Sequence, residues 1–369
     1  MDWYKPGFKA GGPIRSISNL VNQLHEKVDI YIVTRNTDYL ETTPYTTVKT
    51  DGWNTVDNAQ VYYLSQQNTT AKTIKNLIKE VHPDSVYCNS LFSYYYSLLP
   101  IFISKKLNVR IVLAVRGMLS IGSLGVKSRK KTFFLRSAKF IGYFKNVIFH
   151  ATTLSEKKDI KSVFGTKTVV IVANNLPHKK TINFHEKQKN GDELKLVSVA
   201  RIAPEKNTLF ALETLKNCKN NVVFDIYGPI YNQSYWKKCL ELIKELPKNI
   251  TATYKGVLLP DNIDLTLQNY HALFLPSTGE NFGHIIIEAM QNSCIPIISD
   301  KTPWRNLEKQ KVGFDLSLEK QKLFSEKIDF LSTLSSNEFK EYSQNAFNYV
   351  NNKDNTIQDL EDYQQLFKL

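Results

Sequence analysis

Residues 272–299, ALFLPSTGENFGHIIIEAMQNSCIPIIS, decide the fold class. Ala272–Leu275 is a short unbroken apolar run, Ile285–Gln291 carries apolar residues at helical spacing, and Ile295–Ser299 is a second apolar run. Two such strands joined by a helix make a βαβ unit, and unbroken apolar strands belong to a parallel sheet covered on both faces. The alternation extends upstream through strands at Leu194–Val199 and Val222–Tyr227 and helices at Thr208–Leu215 and about Tyr235–Leu246. In the first half, Asp29–Arg35, Ser85–Cys88, Val109–Val115 and Val147–Phe149 read as strands, with helices at Ile14–Leu24 and Thr73–Val81. The class is therefore α/β, with enough strands for two doubly wound sheets. The polar stretch His178–Glu193 suits a linker. Residues 1–185 and 186–345 are expected as two domains, and 346–369 as a terminal helical segment carrying Phe347, Tyr349, Leu360, Tyr363 and Leu366.

Composition narrows the class further. The 369 residues are 42% hydrophobic and 22% charged, which excludes a disordered or fibrous chain. The best candidate for a membrane span, Leu91 to Ile103, is too short and is broken by Ser93, Ser97 and Pro100. The opening MDWYKPGFKAGGP has no apolar core of a secretory signal. Cys88, Cys218, Cys239 and Cys294 form no C-x-x-C pair, so free thiols in a reducing, cytoplasmic compartment are expected. The net charge of +13 is uneven: residues 1–185 hold 26 basic and 11 acidic residues, and 101–150 hold eleven basic and no acidic ones. Such a patch calls for a polyanionic partner, whether nucleic acid, an anionic membrane surface or a phosphorylated substrate.

Four motifs carry chemistry. Gly11-Gly12 precedes a helix, so the backbone can approach an anion closely, although an ordinary tight turn also explains the pair. Arg201-Ile-Ala-Pro-Glu-Lys206 directly follows a strand, the rim at which open α/β sheets bind ligands, and its two cations suit a diphosphate. Solvated loop cations are the plainer alternative. Glu280-Asn-Phe-Gly-His-Ile-Ile-Ile-Glu288 sets one carboxylate in a loop and another one turn into a helix, with Gly283 at the turn between them. Carboxylates accept hydrogen bonds from sugar hydroxyls, and helix-start N–H groups bind phosphate oxygens. Arg116-Gly117-Met118 ends the strand Val109–Val115 at a comparable rim. The chain has no D-x-D, no histidine cluster of metal-ligand spacing and no G-x-S-x-G, so neither a metal nor a cofactor is expected.

Taken together, AGGP, RGM, VSVARIAPEKN, DIYGP, YKGVL, LPSTGENFGHIIIEAM and IPIISD, in this order over nearly the whole chain, resemble glycosyltransferase family 4. The branch that this likeness suggests is common in bacterial surface-polysaccharide assembly. The resemblance implies a GT-B fold, in which two Rossmann-like domains face a central cleft and a C-terminal helix returns to the first domain. It also implies retaining transfer of a sugar from a nucleotide-diphosphate sugar to a glycan or lipid-linked glycan acceptor. Arg201 and Lys206 would neutralise the donor diphosphate and Glu280 would hold hydroxyls of the donor sugar. Backbone N–H groups around Phe282, Gly283 and His284 would bind sugar or phosphate, and Glu288 the ribose. Gly256 and Val257 would meet the nucleobase, and Gly12 would approach the diphosphate. The family often has His-Gly where this chain has Arg116-Gly117, so the histidine's role does not carry over; Arg116 and Gly117 are expected on the acceptor side.

Residues 127–146, KSRKKTFFLRSAKFIGYFKN, mix seven cations with aromatics. They read either as a basic helix lying on an anionic membrane, at the inner face of the cell membrane, or as a helix whose aromatics pack on the sheet beneath solvated lysines. Two rival functions are a basic nucleic-acid-binding protein, for which no RNP, KH or zinc-finger signature is present, and a catalytically impaired relative acting as a scaffold. One irregularity remains: a doubly wound domain leads into its first Gly-rich turn with an apolar strand, and here only MDWYKPGF precedes it. An apolar strand of about six residues upstream of Met1 is the expectation that resolves it.

Overall fold

The structure, a computed structural model, describes residues 1–119, 128–178, 183–189, 191–351 and 355–368. It divides into two compact units, Met1–Lys179 with Asp354–Leu369 and Lys180–Lys353.

The second unit contains a six-stranded parallel sheet: β8 (Leu194–Val199), β9 (Val222–Tyr227), β10 (Ile250–Gly256), β11 (Ala272–Leu275), β12 (Ile295–Ser299) and β13 (Phe314–Leu316), in the order β10-β9-β8-β11-β12-β13. This is the doubly wound order in which the first strand lies at the centre and the winding reverses beside it. Every residue of β11 and β12 is buried, as their unbroken apolar sequence requires. Helices at Thr208–Leu215, Gln233–Lys244, His284–Gln291 and Gln321–Thr333 contribute to two apolar cores. At the end of β9 only glycine fits: Gly228 has φ +142°, and a Cβ there would lie 1.8 Å from the Ala200 carbonyl oxygen.

Both expected boundaries move. Residues 183–189, within the supposed linker, form no helix or strand but are pinned to the second unit. Phe184 packs against Phe347, the His185 amide donates to Ser293 Oγ, and the buried Lys187 ammonium donates to the carbonyls of Leu267 and Gln268 at 2.9 and 3.0 Å. A boundary at 345 would cut the helix Ser336–Asn351, whose Phe339 and Ala346 are buried in the second unit's cores. The chain leaves that unit at Lys353.

The first unit holds two sheets. One has β1 (Tyr31–Arg35) parallel to β3 (Ala59–Leu64), which pairs antiparallel with β2 (Trp53–Val56). The other is parallel and runs β4 (Ser85–Cys88), β5 (Arg110–Ala114), β6 (Ile148–Ala151), β7 (Val170–Val172). The β2–β3 hairpin was not among the expected strands; its two-residue turn starts at Asp57 in the left-handed region. The last helix, Asn355–Phe367, packs into this unit: Tyr363 and Leu366 are buried with Leu20, Leu24, Val112 and Leu176. Arg110 caps the helix by donating to the Leu366 carbonyl at 2.8 Å. Among the described residues no helix is long and apolar enough to cross a membrane.

A buried polar relay ties the strand ends of this unit together. His150, fully buried on β6, faces the Ala173 carbonyl through Nε2 at 2.8 Å and Tyr87 Oη through Nδ1 at 2.8 Å. A carbonyl only accepts, so Nε2 carries the proton and Nδ1 accepts from Tyr87. Burial, with the nearby Arg116 charge, pushes the His150 pKa down to about 3. Between that value and the unfolded value of about 6.5 the unfolded chain binds the extra proton, so stability falls as pH drops through this window. The expected outcome in chemical denaturation is a loss of up to about 1.4 kcal/mol per pH unit below pH ~6.5 from this group. His150→Gln, though less stable at pH 7, should show a shallower slope between pH 6.5 and 4.5; equal slopes would show that His150 does not titrate there.

Candidate functional site

The second-half motifs lie where the winding of the second sheet reverses. Strands β8 and β11 pair only at Leu196–Val197 with Ala272–Leu273, although both continue further. Beyond that point each leads into a loop bearing chemistry. After β8 come Arg201 and a short 3-10 turn, Pro204–Lys206; after β11 come Ser277 to Phe282. The loops are stitched to one another. The Thr278 amide donates to the Glu205 carbonyl at 2.9 Å, Asn207 Nδ2 to the Pro276 carbonyl at 3.1 Å, and the Glu280 amide to the Lys301 carbonyl, beyond β12, at 3.1 Å.

Within this frame Lys206 and Glu280, 74 residues apart in sequence, form an ion pair at 2.5 Å. Their side chains keep only 16% and 12% of their exposure, so the pair is largely removed from solvent. An ammonium has three donors and the carboxylate several acceptor positions, so the contact leaves both groups with bonding capacity for a ligand. Arg201 pairs with Glu205 at 3.1 Å and lies over the Tyr231 ring at 5.4 Å, which fixes the plane of its guanidinium.

The glycine turn behaves as its sequence requires. Gly283 has φ +78° and precedes the helix His284–Gln291. The buried Trp304 donates from Nε1 to the Phe282 carbonyl at 2.8 Å. In a trans peptide the carbonyl and the next N–H point in opposite directions, so this bond turns the Gly283 N–H away from Trp304. Phe282 in turn packs edge-on against His284, with centroids 4.7 Å apart. Glu288, half-buried, follows one turn into the helix. At the neighbouring strand end, Gly256 has φ +82° with open space where a Cβ would sit; its carbonyl accepts from the Gly228 amide at 2.9 Å, and Val257 is exposed.

The remaining expected residues lie in the first unit. Gly11, with φ +73°, caps the helix Gly12–Leu24, and the loop before it is held by the buried Asp38, whose Oδ2 accepts from the amides of Phe8 and Lys9. Arg116, itself in the left-handed region, donates from Nε to Asn89 Oδ1 at 2.6 Å, from Nη1 to Asn175 Oδ1, and from Nη2 to Tyr87 Oη at 3.0 Å. The Gly117 amide donates to the buried Glu156, which also accepts from the amide and hydroxyl of Thr152. Asn89, Arg116, Thr152 and Asn175 follow β4, β5, β6 and β7, so they gather at one rim of this sheet. A cavity of about 540 Å³ lies at the opposite rim, near Arg110, Ile148 and Val169 where β5, β6 and β7 begin, and contains none of the expected residues. Among the described residues no group of three or more His, Cys, Asp or Glu could hold a metal ion. Sequence reasoning missed Trp304, Glu205 and the Asn89–Asn175–Glu156 support of Arg116; a tryptophan just beyond the IPIISD strand was the one available signal.

Comparison with known proteins fits this geometry. Residues 179–349 match the family described as glycosyl transferases group 1. No curated protein matches the chain in sequence. Among solved structures, HepE of Anabaena in complex with UDP-glucose is similar over 100% of this chain and 98% of its own, at 14% identity and a TM-score of 0.73. WaaG, a glycosyltransferase involved in lipopolysaccharide biosynthesis, is similar over 99% of this chain and 98% of its own, at 12% identity and a TM-score of 0.67. Sucrose-phosphate synthase from Thermosynechococcus elongatus is similar over 97% and 94%, at 13% identity and a TM-score of 0.68. The chain therefore has the GT-B fold, and most of its second unit, residues 179–349, matches the glycosyl transferases group 1 family.

Proposed function

We propose that the protein is a retaining glycosyltransferase of the family 4 type, moving a sugar from a nucleotide-diphosphate sugar to a glycan or lipid-linked glycan in surface-polysaccharide assembly. The observation that carries this reading is the Lys206–Glu280 pair at the winding reversal, beside a glycine-started helix. Lys206 and Arg201 oppose the negative charge that grows on the diphosphate as the glycosidic C–O bond breaks, an interaction stronger in the transition state than in the ground state. Glu280 receives hydroxyls of the donor sugar, and the amides of Gly283 and His284 receive sugar or phosphate oxygens. Glu288 takes the ribose, and the backbone at Gly256 and Val257 takes the base. In the first unit, Gly12 is assigned to phosphate binding and Arg116 and Gly117 to acceptor binding. The acceptor oxygen forms the new bond to the anomeric carbon on the face the phosphate leaves, and its proton passes to the departing phosphate oxygen. Arg201 and Lys206 supply the counter-charge, so the reaction needs no metal. Similarity to a UDP-glucose complex and to a lipopolysaccharide enzyme supports the donor class and the setting.

The basic segment extends the reading to the cytoplasmic face of a membrane. In the helix Ser128–Phe140 and the turn after it, Leu135, Ala138 and Phe144 are buried and Phe134 and Tyr143 pack against them. Phe133, Phe140 and Ile141, by contrast, are 74%, 92% and 69% exposed. Phe133 and Phe140 are seven residues apart on one helical face, with exposed Arg136 between them and Lys130, Lys139 and Lys145 nearby. Lys127, the first residue of the expected segment, lies outside the described residues. Apolar side chains set among cations suit the headgroup region of an anionic bilayer.

In a transfer assay with nucleotide-sugar donors, Arg201→Ala and Lys206→Ala should each lower turnover by about 10²-fold or more, the scale of one lost electrostatic stabiliser. Full activity in either variant, with unchanged melting temperature, would put the diphosphate elsewhere. The same assay in EDTA should retain its rate; loss restored by manganese or magnesium would overturn the metal-free reading.

Sedimentation with anionic vesicles should weaken as salt rises, since each surface-bound cation contributes roughly 1 kcal/mol. Changing both Phe133 and Phe140 to Ser should weaken it by about tenfold or more through lost apolar insertion. Equal binding to neutral and anionic vesicles would remove the patch from membrane recognition.

A further inference from the structure

The rim of the first unit's four-stranded sheet holds a cation that its neighbours orient without neutralising. Arg35, at the end of β1, pairs with Asp2, and Arg201, after β8, pairs with Glu205. Arg116, after β5, is held by three uncharged oxygens. Asn89 and Asn175 accept through their amide oxygens, from Nε at 2.6 Å and from Nη1, and Tyr87 Oη accepts from Nη2 at 3.0 Å. Tyr87 is not an anion in disguise. His150 gives its Nε2 proton to the Ala173 carbonyl, so its Nδ1 accepts and the Tyr87 hydroxyl keeps a proton to donate there. The nearby carboxylate of Glu156 is committed to the Gly117 amide and to the amide and hydroxyl of Thr152. Among the described residues Arg116 forms no ion pair. Asn89, Asn175 and Glu156 are buried and Arg116 is half-buried, so its charge has lost part of its hydration and gained no counter-ion. That combination costs stability.

We propose that Arg116, with Asn89 and Asn175, forms an oxyanion site, and that the acceptor carries a phosphate or a carboxylate beside the sugar that receives the transfer. The proposal deepens the glycosyltransferase reading and rests on its assignment of Arg116 to the acceptor. Three of the five guanidinium N–H groups are used, which leaves one on each terminal nitrogen. With their oxygens taken, the amides of Asn89 and Asn175 offer a ligand only N–H donors. An oxyanion receives these donors in charge-assisted hydrogen bonds and supplies the missing counter-charge. Tyr87 and His150 hold the guanidinium in place and leave its charge unchanged. A neutral glycan would leave that charge uncompensated, so the rim selects against it. The sequence around Arg116 reinforces the sign, since residues 101–150 hold eleven basic residues and no acidic one.

The test measures binding of glucose 1-phosphate, glucuronate and glucose by ligand-observed NMR. The protein is the full chain carrying Arg201→Ala and Lys206→Ala, so that those two cations cannot hold the probe. At least one anionic probe should bind about tenfold or more tightly than glucose, and which of them does so tells phosphate from carboxylate. Adding Arg116→Gln should weaken that binding by about tenfold or more. Adding Asn175→Asp instead, which sets a carboxylate against the guanidinium, should weaken it as much while the melting temperature stays equal or rises. This second variant decides the matter if Arg116→Gln does not fold. Anionic probes that bind no better than glucose, or that bind undiminished to the Asn175→Asp protein, would overturn the proposal. With Arg201 and Lys206 restored, Arg116→Gln should raise the KM for an anionic acceptor more than the KM for the donor; the reverse order would overturn the acceptor assignment. Arg116-dependent anion binding by a chain that transfers no sugar would overturn the glycosyltransferase reading while upholding the oxyanion site. Transfer to neutral acceptors as fast as to anionic ones would overturn the anionic acceptor and leave that reading in place.

Discussion

The early parting of β8 and β11 is the constraint on which the geometry around Lys206 and Glu280 depends. Parallel strands hold together by their ladders, and these two share a ladder over only two residue pairs before their loops turn to opposite faces of the sheet. Helices on both faces make the separation stable, because β11 and β12 stay buried throughout while the chain beyond their carboxyl ends is free to carry polar groups. The backbone bonds from Thr278 and Glu280 to the neighbouring loops then set the spacing across the crevice. Lys206 and Glu280 meet because the sheet order puts their loops side by side, whatever their distance in sequence.

The ion pair at that point has a chemical consequence. A half-solvated lysine alone at a sheet rim would lose part of its charge to water screening, whereas one held by a carboxylate is oriented before any ligand arrives. In the proposed reading, a diphosphate entering the crevice would take the remaining ammonium donors, and sugar hydroxyls the remaining carboxylate acceptors. One contact thereby orients the ammonium and the carboxylate relative to each other. Arg201 is prepared in the same way by Glu205 and Tyr231.

How much of this was legible in the sequence follows from burial. The strands β8, β9, β11 and β12 and the helix Thr208–Leu215 have the boundaries their apolar runs indicate, since apolar continuity is what a doubly covered strand shows. Strand β10 was missed because ITATYKG is an edge strand, mostly half-buried, with polar residues among the apolar ones; β13 is three residues long. The helix Gly12–Leu24 begins two residues before its apolar stripe, because a first turn facing solvent leaves no periodic mark. Lys187 defeated the linker reading: a lysine reads as solvated, yet here it is buried because the carbonyls of Leu267 and Gln268, at the end of the short helix Ile263–Leu267, receive its ammonium. Arg201, Lys206, Glu280 and Gly283 could be singled out as local motifs, but the pairing of two of them needs the sheet order. Trp304 holds the glycine turn through a hydrogen bond to a backbone carbonyl, a role no spacing encodes.

Arg116 shows how a polar network can support a charge without cancelling it. The acceptors that hold its guanidinium are the amide oxygens of Asn89 and Asn175 and the hydroxyl of Tyr87, all neutral. The buried carboxylate beside it, Glu156, spends its hydrogen bonds on the Gly117 amide and on Thr152. Neutral acceptors fix the direction of a cation but leave its field, and a field at a partly dehydrated rim acts more strongly than in water. His150 fits the same scheme. Were it protonated, its Nδ1 would present a proton to the Tyr87 oxygen that already receives one from Arg116, and a second positive charge would be buried at the strand ends. Burial and the Arg116 charge both keep the imidazole neutral, so the relay from Arg116 through Tyr87 to His150 carries one positive charge, located on the arginine at the rim. A histidine in place of Arg116 would offer two ring nitrogens where the arginine offers a planar fork that reaches Asn89, Asn175 and Tyr87 together.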